Sequence, residues 1–219
     1  MDVKLNSVEV LKRQLRRAEP GEVFVSSACD AWQPIEAQYG LTRRCCELLL
    51  ECGFRVHALT KSALVMRDLD VLAKGVARIG VSVTTLDQRL RQWWEPGAAS
   101  VEQRFEVIDR ARRAGLETSI MFGPLLPLLS DSQASIEAMF RRAAELETDT
   151  IWVDALNPRP RVWPAVAALL RDRFPELREP YQRILFDRQA REAYLAQLRG
   201  RVATVARQLS LSDRVSACM

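Results

Sequence analysis

Histidine and lysine are nearly missing from this 219-residue sequence: it has one histidine, and all but four of its 32 cationic residues are arginine. A single histidine leaves neither a histidine-rich metal site nor a serine–histidine triad. No apolar run approaches the roughly 20 residues that cross a bilayer. The opening MDVKLNSVEVLKRQLRR has no apolar segment and no small-residue cleavage site of the secretory kind. The sequence therefore reads as cytoplasmic, with no membrane partner. Neither GxxxxGK[ST] nor GxGxxG occurs, so the phosphate-cradling glycine loops are absent. Cys29, Cys45, Cys46, Cys52 and Cys218 are odd in number and form no CxxC pair. A disulfide framework is not the default reading, and these thiols read first as small hydrophobes.

What is present is the composition of an ordinary folded chain, 48% hydrophobic and 27% charged, which excludes disordered and collagen-like classes. The net charge of +4 is spread along the chain. Guanidinium binds phosphate bidentately, yet so small an excess does not single out a nucleic-acid partner, and a compositional bias toward arginine explains it as well.

Strand-like and helix-like segments alternate. Asn6 is positioned to cap a helix through Arg17, with Glu9 at the capping-box position. EVFVSSA (22–28) reads as a buried strand. A helix over 42–52 is stopped by Gly53, RVHALT (55–60) is the next strand, and a short helix lies around 67–74. The third strand is ARIGVSVTT (77–85). Ser100 caps a long helix ending at Gly115, and LETSIMFG (116–123) is the fourth strand. A helix from Ser132 to Glu147 and the strand TDTIWVDAL (148–156) follow. This order is the βα repeat of a parallel sheet closed or partly closed into a barrel. Residues 1–157 form that α/β partial barrel, and residues 158–219 form a helical extension packed on it, with SLSDRVSACM frayed at the end.

In such barrels, ligand groups gather at the C-terminal ends of strands. That rule nominates Ser26–Asp30, Thr60–Ser62, Ser82–Thr85, Phe122–Pro124 and Asp154–Asn157. Serine, threonine and aspartate also collect there as caps and turns, so several polar ends together weigh more than one. His57, in mid-strand, reads as a satisfied core or surface histidine.

The strand-end motifs carry a resemblance. SSACDAWQPIEAQYGLTRRCCELLL resembles the D-P-Y-Q-P-x-E…LTR segment of radical S-adenosylmethionine (SAM) proteins of the spore photoproduct lyase-like family. HALTKSALVMRDLDVL is similar to that family's T-K-S strand end and R-D-x-D helix. RIGVSVTTLDQRLRQWWEPGAASVEQR is similar to its S-x-T-T-x-D and E-P-G…R segment, and GPLLPLLSD to its proline-rich turn. NPRPRVWP and the helical tail resemble DNA repair photolyase-like proteins.

The resemblance implies a SAM pocket that includes Asp30, Lys61, Ser82, Thr84 and Thr85, with the Lys61 ammonium on the SAM carboxylate. Cys29, or Ser27 in a shifted register, lies near the family's hydrogen-donating cysteine. Glu95 and Arg104 match E-P-G…R and read as a charge pair fixing the loop. The family's [4Fe-4S] cluster is held by a Cys-x3-Cys-x2-Cys loop after its first barrel strand. This sequence starts at the helix beyond that strand and contains no such loop. The expectation is therefore a radical SAM protein lacking its first strand, truncated and inactive as this chain, with no metal ligands of its own. When intact, it would cleave SAM to a radical acting on DNA containing a thymine photoproduct or on a small molecule. The alternative is a non-catalytic partial barrel that binds a ligand or nucleic acid. A third reading is an unrelated barrel enzyme with Lys61 as a Schiff-base amine.

Overall fold

A computed structural model describes residues 3–26, 29–160 and 162–218. Six strands follow one another in the order β1-β2-β3-β4-β5-β6: Glu22–Val25, Arg55–Thr60, Ala77–Val83, Glu117–Leu125, Thr150–Ala155 and Val215–Ala217. Helices stand between them, which is the α/β partial-barrel order the sequence pattern predicts. The chain divides into two compact units, one of residues 1–82 with 98–119, the other of 83–97 with 120–219.

In the first unit, β1 and β2 are parallel with Phe24 opposite His57, and β2 and β3 are parallel with His57 opposite Arg78 and Leu59 opposite Gly80. Side chains alternate across a strand, so this register sorts the sheet into two faces. Val56, Ala58, Ile79 and Val81 share one face and are almost wholly buried, as are Leu72, Phe105 and Ile108 of the helices. Burying each such aliphatic side chain contributes about 1.5–3 kcal/mol. The opposite face carries Phe24, His57, Leu59, Gly80 and Ser82, a mixed polar and aromatic set.

Local signals account for several helix ends. Ser100 caps helix α6 (Val101–Arg113): its hydroxyl accepts from Gln103 N at 3.1 Å, while Gln103 Oε1 accepts from Ser100 N at 2.9 Å. Gly115, at φ +77°, lets the chain turn out of it. Helix α2 (Glu36–Tyr39) ends at Gly40, and helix α3 (Leu41–Glu51) is followed by Gly53 at φ +79°. Helix α1 (Ser7–Leu15) departs from expectation: Asn6 makes no side-chain cap, and no residue of α1 is buried. The segment predicted as a helix over 67–74 is a 3-10 turn, Ala63–Asp68, running into α4 (Leu69–Leu72).

In the second unit, α7 (Gln133–Glu145) is capped by Ser132, and α10 (Arg188–Gln208) by Asp187, whose Oδ1 accepts from Ala190 N at 2.7 Å. Helices α8 (Trp163–Arg173) and α9 (Arg178–Phe186) lie between them. Leu126 and Leu156, one residue beyond β4 and β5, join Leu90, Leu170 and Tyr181 in a buried cluster. Phe122 stacks on Phe140, their ring centroids 5.9 Å apart. The frayed terminus is corrected. Val215–Ala217 form β6, parallel to β5 with Ile151 opposite Val215, and hydrogen bonds from Ile151 N to Arg214 O (2.7 Å) and Cys218 N to Val153 O (2.8 Å) flank the pairing. Buried Leu211 anchors the approach.

Candidate functional site

The strand ends nominated by sequence are held by short polar clips. Ser26 leaves β1 at φ +79°, and its hydroxyl accepts from Ala31 N at 3.0 Å. Ser27 and Ala28 lie outside the described residues. The Asp30 carboxylate then fastens this loop to the end of β2. Its Oδ1 takes the Thr60 hydroxyl at 2.7 Å and Trp32 N at 2.9 Å, and its Oδ2 takes Lys61 N at 2.8 Å. The Lys61 carbonyl accepts from Ala99 N at 3.1 Å. The backbone of Lys61 is thus fixed on both sides, so its side chain projects from a rigid base. Asp30 spends its oxygens on the protein, which makes it a positioning residue for Lys61. Cys29 beside it is exposed.

Ser82, also in the first unit, is buried, and its carbonyl accepts from Arg104 Nη1 at 2.7 Å. Arg104 is 1% exposed and also donates through Nε to Ala99 O at 3.0 Å. His57 is buried in β2, edge-on to Phe24 at 4.8 Å, with Nδ1 3.7 Å from Glu22 Oε1. Burial, reinforced by the Arg78 charge, lowers its imidazole below the ordinary histidine value.

Within the second unit, the buried Thr84 hydroxyl donates to Glu95 Oε1 at 3.0 Å, with Gly123 O at 3.3 Å. The Thr85 hydroxyl accepts from Asp87 N at 3.0 Å, and Asp87 Oδ1 caps helix α5 (Gln88–Trp94) through Arg89 N and Leu90 N. Both threonines therefore turn their hydroxyls toward protein partners. Asp154, nominated with the last strand end, lies near the end of β5. Burial pushes its carboxyl up, against the charges of Arg159 and Arg191. A Cβ on Gly123 would come within 3.1 Å of Asp154, so only glycine fits there without a shift.

The residues that carry the motifs interlock elsewhere in the first unit. Arg67 donates from Nε to Asp68 Oδ1 at 2.7 Å and from Nη2 to Glu36 Oε1 at 3.1 Å. The Trp32 indole donates to Asp68 Oδ2 at 2.8 Å, and Glu36 Oε1 accepts from Thr42 N at 3.0 Å. Arg43 grips both oxygens of Asp70 at 2.6 Å and reaches Asp68 at 3.3 Å. Hydrogen bonding from Arg43 holds the Asp70 carboxyl down to about 2. P-x-E, L-T-R and R-D-x-D are thus one structural lock, with Asp68 wholly buried and Glu36 nearly so.

The cysteines do not converge. Among the described residues, no group of three or more histidine, cysteine or acidic side chains could hold a metal ion. Burial pushes the Cys46 thiol up to about 12, and also raises half-buried Cys45. With iodoacetamide at pH 8, peptide mapping is expected to show Cys29 and Cys52, both exposed, alkylated in the native protein. Cys46 is expected to react only after denaturation, because the thiolate is the nucleophile. Native labelling of Cys46 at the rate of Cys52 would contradict its burial.

The sequence profile of the Radical SAM superfamily matches residues 2–140. An uncharacterized protein of Mycobacterium tuberculosis is 29% identical over 163 residues, 72% of this chain and 48% of that protein. A radical SAM Nalpha-GlyT isomerase of Pseudomonas phage M6 is 25% identical over 193 residues, 87% of this chain and 40% of the isomerase. Among solved structures, spore photoproduct lyase with bound AdoMet and dinucleoside spore photoproduct superposes with a TM-score of 0.70 at 14% identity, over 98% of this chain and 66% of that one. That likeness shows the fold. The chain spans about half the length, or less, of these curated relatives.

Proposed function

The chain belongs to the radical SAM superfamily, and on that premise we propose that its strand ends bind SAM, with Lys61 pairing the carboxylate. Membership implies both SAM and an iron–sulfur cluster. The cluster does not fit the residues present: Cys46 is buried, Cys29, Cys52 and Cys218 are exposed, and no metal-holding group occurs among the described residues. No step is therefore routed through these cysteines. SAM supplies a carboxylate, an amine and a ribose, which suit an ammonium and small polar groups at a strand end.

The observation that carries the reading is the double anchoring of Lys61, N–H to Asp30 and C=O to Ala99. That anchoring fixes the Lys61 backbone at the C-terminal end of β2, and barrel ligands gather at such ends. Asp30 positions that backbone. Ser82 contributes through its fixed backbone. Cys29 is the exposed thiol we assign to giving a hydrogen atom to substrate. DNA is the substrate class to try first, given the dinucleoside held by spore photoproduct lyase; small molecules come second.

Isothermal titration of the chain with SAM tests this. Lys61→Met is expected to weaken SAM roughly 10- to 100-fold in a chain that remains folded, the worth of a charge-assisted hydrogen bond. Equal affinity in the variant, or no saturable binding in the native chain, overturns the proposal. Anaerobic incubation with iron and sulfide is expected to leave iron substoichiometric. That outcome favours the second reading, a ligand-binding partial barrel without catalysis by this chain alone.

A further inference from the structure

Helix α1, in the first unit, carries a groove that the strand ends do not share. Val10, Arg13, Gln14, Arg16, Arg17 and Ala18 line it, and its volume is about 660 Å³. Three of these six side chains are cationic, and none is acidic. At 3.6 residues per turn, Arg13 and Arg16 fall on one side of the helix, and the half-buried Val8, Leu11 and Leu15 on the other. Arg17 follows in the turn after the helix. All three arginines are exposed, as is Lys12 beside them.

Other helices of this chain balance such cations locally. Arg110 holds Glu106, Arg113 holds Asp109 at 2.8 Å, Arg141 holds Glu137 at 2.6 Å and Arg188 holds Glu192 at 2.9 Å, each on its own helix. Among the described residues, Lys12, Arg13, Arg16 and Arg17 make no ion pair, although Glu9 stands four residues before Arg13, the spacing that pairs elsewhere. A cation near a helix C-terminus is favourable by itself. Four within residues 12–17 also repel one another, and no acid of α1 relieves them. An anion seated in the groove would.

The chemistry of the lining sets the partner. Guanidinium pairs phosphate through two parallel hydrogen bonds. The groove is open and far larger than one phosphate group, which suits a row of phosphates better than a single anion. Duplex DNA offers the densest such row, one charge per about 1.7 Å of its axis. The lining holds no aromatic ring on which a base could stack, so the contact is to backbone and carries no sequence preference. We propose that this groove docks the phosphate backbone of duplex DNA, with Arg13, Arg16 and Arg17 on neighbouring phosphates. The chain passes from α1 through Gly21, whose carbonyl accepts from Arg55 N at 2.8 Å, into the start of β1. The groove therefore belongs to the end of the first unit away from Asp30 and Lys61, and its arginines anchor DNA without touching reacting atoms. The proposal stands whether or not the strand ends bind SAM.

The test titrates the whole chain, without SAM, into a fluorescent duplex of about 20 base pairs and reads anisotropy. Saturable binding is expected at about 50 mM salt, with affinity falling steeply as salt rises. Replacing Arg13, Arg16 and Arg17 together by glutamine should weaken binding roughly 10- to 100-fold. The same variant should flatten the salt dependence by about 2–3 in log–log slope, since each phosphate contact contributes about 0.9. A control removes three cations that already hold acids, Arg110, Arg113 and Arg141, and so lowers the net charge equally. It should change affinity less than twofold. Equal losses in the two variants would make net charge, not the groove, the cause and overturn the proposal. So would an unchanged salt slope, or no saturable binding by the native chain. Polyglutamate that competes as well as unlabelled DNA would point to an acidic protein and overturn it too. If the glutamine variant does not fold, Ala18→Glu decides, because it sets a carboxylate in the groove at an exposed position. It should weaken DNA several-fold, and unchanged affinity overturns the site.

Discussion

Replacing Arg67 with methionine is expected to cost about 3–5 kcal/mol of folding free energy, the penalty for removing one partner of a buried ion pair. The asymmetry of exposure sets the size. The Arg67 side chain is 32% exposed, while the carboxylates it serves are 6% exposed on Glu36 and 1% on Asp68. Methionine keeps the aliphatic stem but leaves both acids in place, out of reach of water and with fewer donors. Trp32 and Arg43 still bond Asp68 and Thr42 still bonds Glu36, so the loss stops short of a bare buried charge.

In thermal unfolding, the same loss should lower the midpoint by about 10 °C for a chain of this size. Adding Glu36→Gln to the variant should recover part of it by removing one stranded charge. A loss below about 1 kcal/mol, the scale of a surface pair, would show that the lock is only a surface ion pair.

This lock explains why so much of the fold was legible. The residues that make P-x-E, L-T-R and R-D-x-D recognisable are the ones that tie the loop after β1, α3 and the 3-10 turn to one another. Motif and architecture are here the same set of contacts. Ser100 and Ser132 were readable for a local reason: a hydroxyl followed by an exposed N–H in the first helical turn needs no tertiary help. Asn6 carries the same signal, yet its backbone sits at φ −89° and ψ 10°, where its side chain makes no cap.

Other features left no local trace. β6 is only three residues long, Val-Ser-Ala, and it exists because β5 offers an open ladder and Leu211 anchors the return. At the candidate site, sequence nominates the strand ends as places, while the direction of each hydroxyl depends on tertiary partners. Thr84 turns to Glu95 and Gly123, and Thr85 to Asp87.

Arg104 is where fold and candidate site meet, and its replacement by lysine is expected to destabilise the chain nearly as much as replacement by methionine, by about 3 kcal/mol. Its guanidinium is 1% exposed and bridges two carbonyls, Ser82 O through Nη1 at 2.7 Å and Ala99 O through Nε at 3.0 Å. One carbonyl terminates β3, and the other belongs to the residue whose N–H bonds Lys61 O. Methionine would orphan both acceptors, each costing about 1–3 kcal/mol when buried. Lysine keeps the charge, but its single ammonium lacks the planar fork that reaches two acceptors in different directions. It would also bury a more strongly hydrated cation. Urea unfolding of the two variants measures the loss. SAM titration adds what stability alone does not give, because freeing Ala99 loosens the support of Lys61. Both variants are then expected to lose SAM affinity under conditions where they remain folded. Recovery of stability and affinity by Arg104→Lys would show that Arg104 acts as a charge, and that the fork joining β3 to the loop before α6 does not position the site.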